Sequence, residues 1–173
     1  MFETNGLLEI LWTVDNLRAY KKLYPVQKKY PNIPIMTMDD DIILSEDCIE
    51  TYMNEHIKHP NDILTEIGSN LGPKGECRGF SFRLFRLFPP NSLLDIDSKY
   101  FKEIYDSSDD DAYISVLAWL KHTNVRSLRS KKAKEIVDDN YKSTALRNEY
   151  KFKVKPNVLK DKLLNTLKKD KII

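Results

Sequence analysis

Two acidic runs are the residues in this chain best placed to do chemistry: Asp39, Asp40 and Asp41, and then Asp109, Asp110 and Asp111. Neighbouring carboxylates repel one another and lose solvation unless something cationic meets them. A divalent ion carrying a phosphate would meet them, and carboxylate oxygens suit hard ions such as Mg²⁺ or Mn²⁺. The second run follows Ser107 and Ser108 and stands directly ahead of an apolar helical stretch, residues 112–121. One such residue suffices to cap a helix. This chain supplies five in a row, so carboxylates are left over. A carboxylate held at a helix N-terminus beside a cleft is a candidate general base. The plainer readings are a solvated turn for the first run and simple capping for the second.

The elements that must position these groups can be read from the pattern. Residues 33–38 form an apolar run too short for a membrane span, which reads as a buried strand ending in the triple aspartate. That places the carboxylates at the carboxyl edge of a sheet, where open α/β folds bind ligands. Upstream, residues 7–14 read as a strand closed by Asp15 and Asn16. Residues 17–30 read as a helix kinked or shortened by Pro25. Strand, helix and strand imply a right-handed parallel crossover that brings Asp15 near Asp39. Downstream, residues 45–58 form a helix capped by Ser45, with Ile49, Tyr52, Met53 and Ile57 as its apolar stripe. A strand is expected at residues 63–67. A bent or bulged strand follows at 80–88, where the aromatic residues change phase, and a brief extended segment at 124–128. The glycine-rich stretch 68–79 lacks the Gly-Lys-Ser/Thr ending of a phosphate loop and reads as a surface loop. Residues 134–150 are polar and irregular, and residues 157–169 form a basic amphipathic helix able to touch anionic lipid.

Composition narrows the class. The chain has 173 residues, 41% apolar and 31% charged, which suits a globular α/β protein with a real core. A net charge of +2 from 28 basic and 26 acidic residues argues against a nucleic-acid partner. Cys48 and Cys77 are too few for a disulfide framework and lack metal-site spacing, so a reducing compartment fits. With no leader-like start and no membrane-length apolar run, the expected location is the cytoplasm, with peripheral membrane contact through the basic C-terminal helix.

Three pieces together resemble the nucleotide-sugar-dependent glycosyltransferases of the GT-A fold, family 2-like and of bacterial type. They are Thr37-Met-Asp-Asp-Asp-Ile-Ile43, Phe88-Pro-Pro-Asn-Ser-Leu93 and Ser108-Asp-Asp-Asp-Ala-Tyr113, preceded by Asp15-Asn-Leu-Arg-Ala-Tyr-Lys-Lys-Leu-Tyr-Pro25. The resemblance covers roughly residues 8–128. It implies a GT-A-like, Rossmann-like mixed sheet, mostly parallel and flanked by helices. It also implies two regions, a partial GT-A domain over residues 1–130 and a C-terminal extension over 131–173. Asp39-Asp40-Asp41 then stands as the Asp-x-Asp motif, with Asp39 and above all Asp41 on Mn²⁺ or Mg²⁺. Asp40, Asp15 and Lys22 would face the donor. Asp111, with Asp110 beside it, would supply the base that deprotonates an acceptor hydroxyl for inverting attack at the anomeric carbon. Arg83 and Arg86 would line the acceptor side. The partners implied are a nucleotide-sugar donor and a saccharide or other hydroxyl acceptor. The family's first strand, helix and strand would precede residue 7, so the fold is expected to be N-terminally truncated. Two other functions remain open on the residues: a non-catalytic binding remnant of the same fold, and a metal-dependent phosphohydrolase or nucleotidyltransferase, which also needs clustered aspartates.

Overall fold

The computed structural model describes residues 9–13, 18–67, 83–95, 110–136 and 156–172. Within them a four-stranded sheet runs in the order β1-β4-β3-β5, with β1 at Ile35–Met38, β3 at Ile63–Ile67, β4 at Arg83–Phe88 and β5 at Val125–Ser127. A separate two-stranded ribbon pairs β2 (Ile42–Leu44) with β6 (Ala133–Glu135). The chain is α/β with a mixed sheet. β1, β3 and β5 point the same way and β4 runs against them, so only the β3–β5 pair is parallel, while β1–β4 and β3–β4 are antiparallel. The expectation of a mostly parallel sheet therefore fails at β4. Interleaved Arg and Phe give no cue to strand direction.

Side chains alternate across a strand, and the sheet sorts accordingly. On one face Ile35, Phe88, Ile63 and Val125 join α3 (Asp110–Leu120) and α4 (Pro156–Lys169) in the larger core. Residues 114–118 of α3 are all buried, as expected of a helix apolar all round. Tyr20 and Leu23 add to this core from the segment before β1. On the other face Leu87, Leu64 and Phe85 meet α2 (Cys48–Lys58) through Cys48 and Tyr52, with Ile42 and Ala133 of the ribbon. The result is a sheet covered on both sides.

Several expectations are corrected by local physics. Residues 9–13 are not a strand, and residues 7, 8 and 14 lie outside the described set. Pro25 does divide the segment before β1, into a 3₁₀ turn at Arg18–Lys22 and a short α1 at Tyr24–Lys29. Proline fits the first turn of α1 because the N–H it lacks would have no helical partner there. The N-cap of α2 is Asp47 rather than Ser45, and it makes no side-chain capping bond. Ser45 is spoken for otherwise: its N–H donates to Lys132 O at 2.8 Å and its carbonyl accepts from Cys48 N–H at 3.0 Å. Of the expected stripe of α2, Tyr52 is buried, beside Cys48, whereas Ile49, Met53 and Ile57 are exposed. The helix is turned one residue, about 100°, from the expected stripe. Tyr52 sets that rotation by packing edge-on against Phe85, ring centroids 4.7 Å apart. A strand also appears within the stretch read as irregular, because Ala133 is buried against β2 and the flanking backbone pairs there.

Residues on both sides of position 130 share one structure. Beyond β6, Leu163 and Leu167 of α4 lie in the larger core. A 14-residue helix is marginal alone, and this docking holds it. The apolar side of α4 is thus used inside the protein, leaving its exposed lysines, among them Lys168 and Lys169, for solvent. No helix among the described residues is long and apolar enough to cross a membrane.

Two helices end on a non-glycine residue in the left-handed region. His122 has φ 58°, followed by Thr123 N–H donating to Ala118 O at 2.9 Å, and Lys171 has φ 57°, followed by Ile172 N–H donating to Leu167 O at 2.9 Å. Left-handed backbone costs a residue with a Cβ about 1–2 kcal/mol, and glycine usually fills this place. His122→Gly is therefore expected to raise stability by about 0.5–1 kcal/mol, since the greater freedom of glycine in the unfolded chain offsets part of the relief. Chemical denaturation at fixed pH checks it, and a loss of stability would refute it.

Glu66, buried on β3, is held by three hydrogen-bond donors. It accepts from Tyr52 Oη at 3.3 Å, from Ser130 Oγ at 2.6 Å and from the Lys131 N–H. Burial first, and then the Glu66 charge, push the Tyr52 phenol far above its ordinary range, so it stays a donor. This carboxylate anchors the turn whose residues Arg129 and Lys131 have φ 50° and 62°.

Candidate active site

The site grows out of one cross-strand row. Thr37 of β1 stands opposite Arg86 of β4, Arg86 opposite Thr65 of β3, and Thr65 opposite Ser127 of β5. Directly opposite residues share a face, so a polar row crosses the sheet one layer beyond the apolar row Ile35, Phe88, Ile63 and Val125. The signal was present in the sequence as a repeated step: in each of β1, β3 and β5 a hydroxyl residue follows an apolar one by two positions, as in Ile35/Thr37, Ile63/Thr65 and Val125/Ser127. Thr65 and Ser127 spend their hydroxyls on the carbonyls of Ile67 and Glu66. Thr37 Oγ1, in a residue only 6% exposed, has no hydrogen-bond partner among the described residues. A buried hydroxyl left unpaired costs roughly 1–3 kcal/mol.

Arg86 is the centre of the row. Its Nη2 donates to Asp111 Oδ1 at 3.2 Å and lies 3.9 Å from Asp39 Oδ1. Lys22 Nζ pairs with the same Asp39 oxygen at 2.7 Å. The order across the site is Lys22, Asp39, Arg86, Asp111, alternating in charge. Exposure grades outward: the Arg86 side chain is 4% exposed, Asp111 19% and Asp39 29%. The guanidinium is the buried member, and the carboxylates reach solvent.

Each piece has a local reason for its place. β1 ends at Met38, and residues 39–41 turn the chain directly into β2. The turn is fixed where Ile136 N–H donates to Asp41 O at 2.7 Å. Asp40 is exposed and Asp41 half-buried on that turn. α3 begins at Asp110, so Asp111 stands in its first turn, where a carboxylate suits the helix dipole. The Ser115 hydroxyl donates back to the Asp111 carbonyl and steadies that turn. Because β1, β3 and β5 run together, their carboxyl ends meet at this one edge.

Of the residues expected to do chemistry, the fold brings Asp39, Asp111, Lys22 and Arg86 together, with Asp40 and Asp41 on the adjoining turn. Arg86, expected on the acceptor side, lies between the two acidic runs. Arg83 lies in β4 with its backbone opposite Ile67, and Asp110 opens α3. The side chains of Arg83 and Asp110, and the whole of Asp15, lie outside the described residues, as do Cys77 and the glycine-rich stretch 68–79.

Among the described residues no group of three or more His, Cys, Asp or Glu is gathered for a metal ion. A hard cation can take one or two carboxylates and complete its shell with substrate phosphates and water, and Asp40 and Asp41 are the adjoining carboxylates on the turn that suit such a shell. His56 and His59 are remote from the aspartates in sequence and element; His59 Nε2 lies 3.4 Å from Glu55 at the end of α2. Cys48 is buried, and burial pushes its thiol up, which suits a core residue rather than a nucleophile.

The chain matches no family model, no curated protein and no solved structure.

Proposed function

We propose that the chain is a GT-A-type glycosyltransferase that moves a hexosyl group from a nucleotide sugar to an acceptor hydroxyl with inversion. One observation carries the reading: Arg86 reaches both acidic runs, Asp39 and Asp111, at the carboxyl edge of one sheet. An acidic turn for a diphosphate-bound cation and a carboxylate base on a separate helix are the two parts such a transfer needs, and they face one another across a guanidinium.

The roles follow from position. Asp40 and Asp41 would hold Mn²⁺ or Mg²⁺ jointly with the donor diphosphate, and the ion would supply charge neutralisation for the departing nucleoside diphosphate. Lys22 and Arg86 add fixed positive charge on the same side. Asp111 takes the proton of the acceptor hydroxyl as its oxygen bonds to the anomeric carbon and the bond from that carbon to the diphosphate breaks. Arg86 orients the Asp111 carboxylate through their hydrogen bond, and Asp39 holds Lys22 in place.

A second reading has its own observation. Asp39 is already matched by Lys22 and Arg86, so part of the acidic charge is neutralised internally, as a non-catalytic relative of the fold would allow. Incubation with a panel of nucleotide sugars, Mn²⁺ and saccharide acceptors separates the two. The proposed enzyme releases nucleoside diphosphate and forms a glycoside. Absence of both across the panel, with the protein folded, refutes it.

A further inference from the structure

A cavity of about 270 Å³ opens at the other end of β1, beside Ile35 rather than Asp39. The four-residue separation along the strand puts it roughly 13 Å from the acidic turn. Tyr20, Tyr24 and Tyr30 line it together with Pro90. Its polar lining comes from Gln27, from Asn91, and from Lys28 and Asp95, which form an ion pair with each other.

We infer that this cavity is a second binding site, for a single pyranose ring of a saccharide. The lining selects the ligand class. Its volume lies just under the roughly 300–1,000 Å³ of sites for drug-sized ligands, which suits one sugar ring and not a dinucleotide. The lysine in the lining is matched by Asp95, so the cavity has no spare fixed charge to attract a phosphate. The carboxylate and the two amides exclude a purely hydrocarbon guest. A pyranose presents one face of C–H groups, which carry partial positive charge and suit the negative face of a tyrosine ring. Its edge presents adjacent hydroxyls, which pair with carboxylate, ammonium and amide groups. The rings of Tyr20 and Tyr24 are inclined at 33° with centroids 5.9 Å apart, so they form an angled wall rather than the parallel slot a planar base would fill. Asn91 takes a left-handed φ of 56°, carrying the chain around the rim after Pro89 and Pro90. Tyrosyl and prolyl walls cost little rotamer entropy on binding, as suits a weak, specific subsite.

Saturation-transfer NMR and calorimetry on the full chain test this, with the methyl glycosides of glucose, galactose, mannose and N-acetylglucosamine as probes. At least one should bind with saturable, millimolar affinity. Tyr24→Ala should weaken it about tenfold or more, the scale of an aromatic contact with its buried area. Lys28→Ala, at an exposed position, should weaken it as well while leaving the circular dichroism unchanged. Asp39→Asn should leave it intact, which separates this site from the transfer site. Four outcomes would overturn the inference: no glycoside binding, binding indifferent to both cavity variants, preferential binding of uridine or adenosine, or preferential binding of a proline-rich peptide.

Discussion

Arg86→Met is expected to lose about 3 kcal/mol of stability and, with it, any transfer activity. Removing one partner of a buried ion pair typically costs about 3–5 kcal/mol, because the remaining charge is left without compensation. The lower end applies here, since Asp111 and Asp39 retain 19% and 29% exposure and can draw in water. Methionine fills much of the arginine stem's volume, so the loss reports the charge rather than a cavity. The double variant Arg86→Met/Asp111→Asn should recover a good part of the deficit, because the uncompensated carboxylate is gone. Urea denaturation of the two variants measures the coupling. If Arg86→Met were neutral, or if the second substitution made matters worse, the guanidinium would not be the centre of the site.

The second large effect falls on the reaction. Asp111→Asn keeps the size of the side chain and an oxygen that can accept from Arg86, but it removes the base. General-base contributions run at about 10²–10⁴ in rate, and a loss in that range is expected in kcat with KM for the donor little changed. A uniform rise in KM with kcat preserved would instead assign Asp111 to binding. Stability should fall only modestly, because the helix-start position and the hydrogen bond are kept. A kcat unchanged by this substitution would remove Asp111 from the chemistry.

What the sequence made legible follows from which physical signals are local. β1 and β3 were readable because each is a short, mostly branched apolar run bounded by turn residues, β5 only as a brief extended segment, and α3 because residues 112–120, apolar but for Ser115, follow its acidic start. The convergence of Asp39 with Asp111 was readable only as an expectation drawn from chemistry, since spacing along the chain does not fix distance in space. The rotation of α2 was not readable. Of the expected stripe only Tyr52 is buried; Ile49, Met53 and Ile57 share its helical spacing, but Phe85, a residue on another strand, draws Tyr52 inward together with Cys48. β6 was hidden for a similar reason: Ala133, Lys134 and Glu135 have no strand-like composition, and their conformation is imposed by pairing with β2. The role of Arg86 lay between these cases. The residue was visible as a charge in an apolar strand, but its partners depend on the cross-strand register with Thr37 and Thr65. The polar row itself is a period-2 signal repeated on three strands, legible once the strands are aligned.

The proposed transfer requires the acidic edge to hold a nucleotide sugar together with a divalent cation. Thermal unfolding of the protein in the presence of each, alone and combined, tests it most directly. A ligand that binds only the folded chain stabilises it by about 2.7 kcal/mol at a hundredfold excess over Kd, which is about 5–10 °C for a chain of this length. A rise of that order is expected for at least one nucleotide sugar, dependent on Mn²⁺ or Mg²⁺ and abolished by the double substitution Asp40→Asn/Asp41→Asn. A full panel that leaves the midpoint unmoved, or a rise that survives loss of both carboxylates, would contradict it.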